Sequence, residues 1–95
     1  MIVGVLLVSL RLDGCRSLKD KRRVIRSLLE RIRREFSACA AEVADQELWG
    51  NATIGLSCVT NDPIHAESIL QHIVDLIDAR ADVSIDGMHR DLLRY

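Results

Sequence analysis

The chain has 95 residues, 48 % of them hydrophobic and 28 % charged, with a net charge of −1 and an aromatic content of only 3 %. That is enough for one domain, 1–95, with a modest core of Leu, Ile, Val and Ala, and it argues against a disordered or low-complexity chain. The near-zero total hides an asymmetry: residues 11–34 hold ten of the thirteen Lys and Arg against three acids, +7, and the rest of the chain carries three against eleven, −8.

In chain order, "MIVGVLLVSLRL" lacks the positively charged start of a secretory signal and is too short to span a bilayer. Its β-branched residues make residues 2–12 a strand. Ile2, Gly4, Leu6, Val8, Leu10 and Leu12 share one face, and Val3, Val5, Leu7, Ser9 and Arg11 the other. "DGC" at 13–15 is a turn. Ser17 with Asp20 three residues later resembles a capping box and opens a helix over 17–35. Leu18, Ile25, Leu29, Ile32 and Phe36 form its apolar arc, with Leu28 on the flank. "SACAAEVAD" at 37–45 reads as a small-residue strand, "QELWGN" as a connection and "ATIGLSCV" at 52–59 as a further strand. Asp62 followed by Pro63 marks an N-cap and first helical position, and the helix extends to about Arg80. Val83 and Ile85 suggest a final strand with a bulge or bend at Gly87.

The order β-α-β-β-α-β fits an α+β, ferredoxin-like sandwich: a four-stranded antiparallel sheet with two helices on one face. The other sheet face is then bare. Val3, Val5 and Leu7 fall on it, joined by Val59. An uncovered apolar face asks for a partner, and a homodimer is the expectation.

Several stretches resemble one family. "RSLKDKRRVIRSLLERIRREF" and "AEVADQELWGNATIGLSCVTND" are similar to the YlxP-like family of small bacterial proteins of unknown function. The matching positions are Ser17, Leu18, Lys19, Lys21 and Arg22, then Ala41, Glu42 and Val43, then Gln46, Leu48, Trp49, Ala52, Thr53, Gly55, Asn61 and Asp62. Glu47, Ile54 and Thr60 depart conservatively from the family pattern. The resemblance implies a ferredoxin-like fold and no established activity or catalytic residues. It also implies genes placed among those for translation initiation and ribosome maturation, which is an associational pointer to RNA or ribosomes.

The residues that bear on function are the cations of 17–34. Lys19, Arg23, Arg26, Arg33 and Arg34 span one side of the helix, and Lys21 and Arg22 lie near the edges of the apolar arc. Such a row suits phosphate contacts. The competing readings are a solvated face, or intramolecular pairing with the acidic remainder of the chain. Base stacking on the sheet is not expected, because its bare face has no aromatic residue. Trp49 reads first as a plug at the end of the core. The other reading makes it part of a small polar pocket with Glu42 and Gln46. Glu42 is expected to be half-buried and paired with an Arg of the first helix.

His65 and His72 are two helical turns apart, too far to share an ion, and Cys15, Cys39 and Cys58 show no C-x-x-C spacing. Cys39 and Cys58 read as small core residues. No metal, cofactor, catalytic group or membrane contact is expected, and the odd, unspaced cysteines suit a reducing cytoplasm. The sequence thus points to a non-catalytic RNA- or ribosome-associated accessory factor. Its alternative is a homo-oligomeric structural or regulatory module whose basic helix contacts an acidic protein surface.

Overall fold

A computed structural model describes all 95 residues. The elements are β1 (Ile2–Arg11), α1 (Leu18–Glu35), β2 (Cys39–Ala44), β3 (Asn51–Thr60), α2 (Pro63–Asp78) and β4 (Ser84–Arg94). The strands form one antiparallel sheet in the order β2-β3-β1-β4. Each helix joins two parallel strands with an antiparallel one slotted between them, which is the ferredoxin-like arrangement expected from the sequence. The right-handed sense of such crossovers brings both helices to the same face.

That face holds the core. Leu6, Val8 and Leu10 of β1 and Ile54 of β3 are sealed against Leu28 and Ile32 of α1 and Leu70, Ile73 and Ile77 of α2. Burying each such side chain is worth about 1.5–3 kcal/mol. Both helices start on local capping. The Asp20 backbone N–H donates to Ser17 Oγ at 3.1 Å, and the Asp20 carboxylate accepts from the Arg16 N–H at 3.1 Å. For α2, the Ile64 N–H donates to Asp62 Oδ1 at 3.0 Å, with Pro63 in the first turn.

β4 is longer than Val83 and Ile85 alone suggest. It pairs with β1 along its whole length, through His89, Arg90 and Asp91, and the register shifts between Ser9 and Leu10 of β1. There Ser9 opposes Gly87 and Leu10 opposes Ile85, which makes Asp86 the extra residue of a bulge beside the expected glycine.

Candidate nucleic-acid interface

The structure divides the seven cations of α1 that the sequence groups together. Lys19, Arg22, Arg23 and Arg26 surround one surface hollow of about 580 Å³, closed by Ser27 and Glu30. All four are exposed, and none belongs to an ion pair. Four like-charged pairs at i,i+3 or i,i+4 follow from their spacing: Lys19–Arg22, Lys19–Arg23, Arg22–Arg26 and Arg23–Arg26. Each such pair disfavours the helix by a few tenths of a kcal/mol. Lys19, Arg22 and Arg23 also stand at the N-terminal end, where the helix dipole disfavours cations. An anion in the hollow would relieve both terms.

The other three differ. Arg34 is exposed and unpaired at the far end of α1. Arg33 donates to the Ala40 carbonyl at the start of β2, tying that end of the helix to the edge strand. Lys21 is a correction to the surface reading: it is only 1 % exposed. Its Nζ donates to the carbonyls of Asp45 at 2.5 Å and Leu48 at 2.6 Å, and lies 2.8 Å from Glu42 Oε2. That carboxylate oxygen is buried and has no hydrogen-bond donor beyond this ionic contact. Glu42 is thus paired with the first helix, as expected, but through a lysine rather than an arginine.

Intramolecular neutralisation of the basic segment is confined to Lys21, to Arg31 and to Arg11, which pairs with Asp13 at 3.1 Å and Asp86 at 3.6 Å. α2 carries Glu67, Asp75 and Asp78 and no Lys or Arg, yet no ion pair joins it to α1. Arg31 pairs with Glu35 of its own helix at 3.0 Å, and Arg80 with its near neighbour Asp82 at 2.8 Å. The Arg80 guanidinium holds the Asp82 carboxyl below its ordinary range, so that pair contributes above the usual carboxylate pKa and is lost as pH falls through the depressed one.

The Lys21 contacts shape the β2–β3 connection. Asp45 takes a left-handed backbone, φ 64°, and its Oδ2 accepts from Thr53 Oγ1 at 2.7 Å. The Leu12 N–H donates to the Gly50 carbonyl at 2.9 Å, closing the other end of the loop. The loop tip then points outward. Trp49 and Leu48 are each 50 % exposed, so Trp49 does not plug the core. Glu42 turns inward to Lys21 instead of toward Trp49. Gln46 reaches only the Glu42 carbonyl, at 3.5 Å. The neighbouring turn letters Gly50 and Asn51 are the sequence signal that would have placed Trp49 outside.

On the uncovered sheet face, register aligns Val59, Val3 and Leu93 in one row, Ser57, Val5 and Asp91 in the next, and Gly55, Leu7 and His89 in a third. Val3 and Val5 are half-buried and Leu7 is 41 % exposed. Val43 of β2 lies over Gly55, where an added Cβ would meet its Cγ1 at 3.1 Å. Val43, Val59 and Leu93 extend the apolar row beyond the residues legible in β1.

Two of the three thiols are buried. Burial pushes the Cys15 and Cys58 thiols up from the ordinary range, leaving them protonated at neutral pH. Cys39, expected in the core, is exposed on edge strand β2. No group of three His, Cys, Asp or Glu side chains is arranged to hold a metal ion, and no helix is long and apolar enough to cross a membrane.

A family model described as "Protein of unknown function (DUF503)" matches residues 3–90. The chain is also 28 % identical over 67 residues to "Uncharacterized protein YlxP" of Bacillus subtilis (strain 168), covering 70 % of this chain and 73 % of that protein.

Proposed function

Since the chain belongs to the DUF503 family, whose YlxP-like pattern it carries at the first helix and the Trp49 loop, we propose that it is a non-catalytic RNA-binding accessory factor. Its contacts are to backbone phosphates, made by the exposed side of α1. The observation that carries this reading is the convergence of Lys19, Arg22, Arg23 and Arg26 on one hollow with no carboxylate paired to any of them. Unpaired guanidinium and ammonium groups in a row favour phosphate, and without base-reading partners they give affinity with little sequence choice.

The test is a binding titration with single-stranded RNA at several salt concentrations. Four neutralised phosphates give a slope of log affinity against log salt of roughly −2.8. Arg22→Ala with Arg26→Ala is expected to flatten that slope by about 1.4 and to weaken different RNA sequences about equally. An unchanged slope in the folded double variant would refute phosphate contact by α1.

A second reading concerns assembly, and the uncovered row Val59, Val3 and Leu93 favours it. A second copy covering this face makes a homodimer and leaves α1 on the outside of each subunit. Val5→Asp places a charge at the centre of that face and is expected to shift light-scattering mass from dimer to monomer. Wild-type protein that is monomeric at high concentration would end this reading.

A further inference from the structure

The molecule has one Trp, and it is held outside the fold beside the basic helix. The loop is tied at several points. Lys21 grips the loop carbonyls at Asp45 and Leu48, Thr53 grips the Asp45 side chain, and the Leu12 N–H anchors Gly50. A loop tied at these points holds its aromatic tip outside, with Trp49 50 % exposed. The same ties set where the tip lies. Lys21 is in the first turns of α1, between Lys19 and Arg22, and the helix is fastened to β2 at its other end through Arg33 and Ala40. The edge strand and its loop therefore run alongside α1, and the Lys21–Leu48 contact sets Trp49 level with the N-terminal turns of the helix, whose exposed side carries Lys19, Arg22, Arg23 and Arg26.

An exposed indole at the same end of the helix as a row of unpaired cations is the pairing of groups that single-stranded nucleic acids engage. The phosphates take the charges and a base takes the ring face, whatever its identity. A duplex cannot use the second contact, because its bases are already stacked on one another. We propose that Trp49 is a stacking platform for one unpaired base of an RNA strand whose phosphates lie along Lys19, Arg22, Arg23 and Arg26. This deepens the reading of α1 as a phosphate surface and rests on it. It makes the ligand single-stranded rather than duplex RNA, and it turns the buried Lys21 into a positioning residue for the base contact.

Because Trp49 is the single tryptophan, its emission reports on this site alone. The probes are a decamer of uridine, a duplex of equal charge, and a ribose-phosphate decamer without bases. Uridine decamer is expected to quench Trp49 emission on binding, while the abasic decamer binds through charge without quenching. Trp49→Ala, a change at a half-exposed position that the fold tolerates, is expected to weaken uridine-decamer binding by about 5- to 150-fold. It should leave the salt slope and abasic-decamer binding unchanged. Trp49→Phe should restore part of the loss, since a smaller ring still stacks.

The two proposals fail separately. Binding by all three probes with an Arg22- and Arg26-dependent salt slope, but no quenching and no effect of Trp49→Ala, overturns the stacking platform and leaves the phosphate surface standing. Absence of any salt-dependent RNA binding overturns the phosphate surface itself, and with it the platform.

Discussion

Lys21→Ala is expected to destabilise the fold by about 3 kcal/mol, a large change for an alteration at a charged helix position. An exposed lysine on the same helix, such as Lys19, should move stability by less than about 0.5 kcal/mol. The difference lies in what Lys21 leaves behind. Its ammonium serves two loop carbonyls and a carboxylate at once, at 2.5, 2.6 and 2.8 Å. Removing it strands the Leu48 carbonyl and the Glu42 carboxylate and leaves the Asp45 carbonyl only the Leu48 N–H, and breaking a buried ion pair from one side costs about 3–5 kcal/mol. The lower end applies because the Glu42 side chain is 19 % exposed and water can reach part of it.

A 95-residue domain loses roughly 4–8 °C of Tm per kcal/mol, so thermal unfolding should fall by some 12 °C or more. Lys21→Met with Glu42→Leu removes both charges together and should recover more than half of the loss, the Leu48 carbonyl remaining without a donor. The folded single variant should also show altered Trp49 emission, because the loop that carries it has lost its anchor. A Lys21→Ala midpoint in urea within 0.5 kcal/mol of wild type would mean that the pair contributes no net stability.

The second large effect is expected at Gly4. Substitution of a strand glycine normally helps, since glycine gives up more backbone freedom on folding than any other residue. At Gly4 sterics reverse the sign. A Cβ there would lie 2.9 Å from Cys58 Sγ and 3.2 Å from Leu70 Cδ1. β1 cannot slide away, being paired in register with β3 at Cys58 on one side and with β4 at Leu92 on the other. Gly4→Val is expected to destabilise by about 3 kcal/mol, at the upper end for overpacking a filled core. Cys58→Ala in the same chain removes the nearest atom and should restore at least about 1 kcal/mol of that, a coupling visible in a double-mutant cycle. If Gly4→Val unfolds at the wild-type denaturant concentration, the sheet and α2 are less tightly packed at this point than the contacts indicate.

The sequence alone determined the order and type of the elements. The apolar arc of 17–35, the Asp62-Pro63 start and the alternation of 52–59 each recur in the structure within two residues at α1, α2 and β3. Those signals are local: a helix stripe, a cap and a strand face are written in residues a few positions apart, and burying them against one another leaves few topologies. The candidate interface was legible only as a charge surplus. Which cations stay outside depended on contacts across 24 and 27 residues, between Lys21 and the Asp45 and Leu48 carbonyls.

A helical wheel puts Lys21 at the border of the apolar arc, where its stem can turn either way. Two loop carbonyls and the Glu42 carboxylate, arriving from β2 and the β2–β3 connection, draw it in. Trp49 was misplaced for the converse reason. Leu12 and the stem of Lys21 already fill the core beneath the loop, both almost wholly buried, so no space remains there for an indole. β4 was obscure because an edge strand takes its structure from backbone pairing with β1, which places little demand on side chains such as His89 and Asp91. Local periodicity decides what each segment becomes. Which polar group is buried and which aromatic is left outside is decided where distant segments meet, because desolvation and free volume are properties of the assembled core.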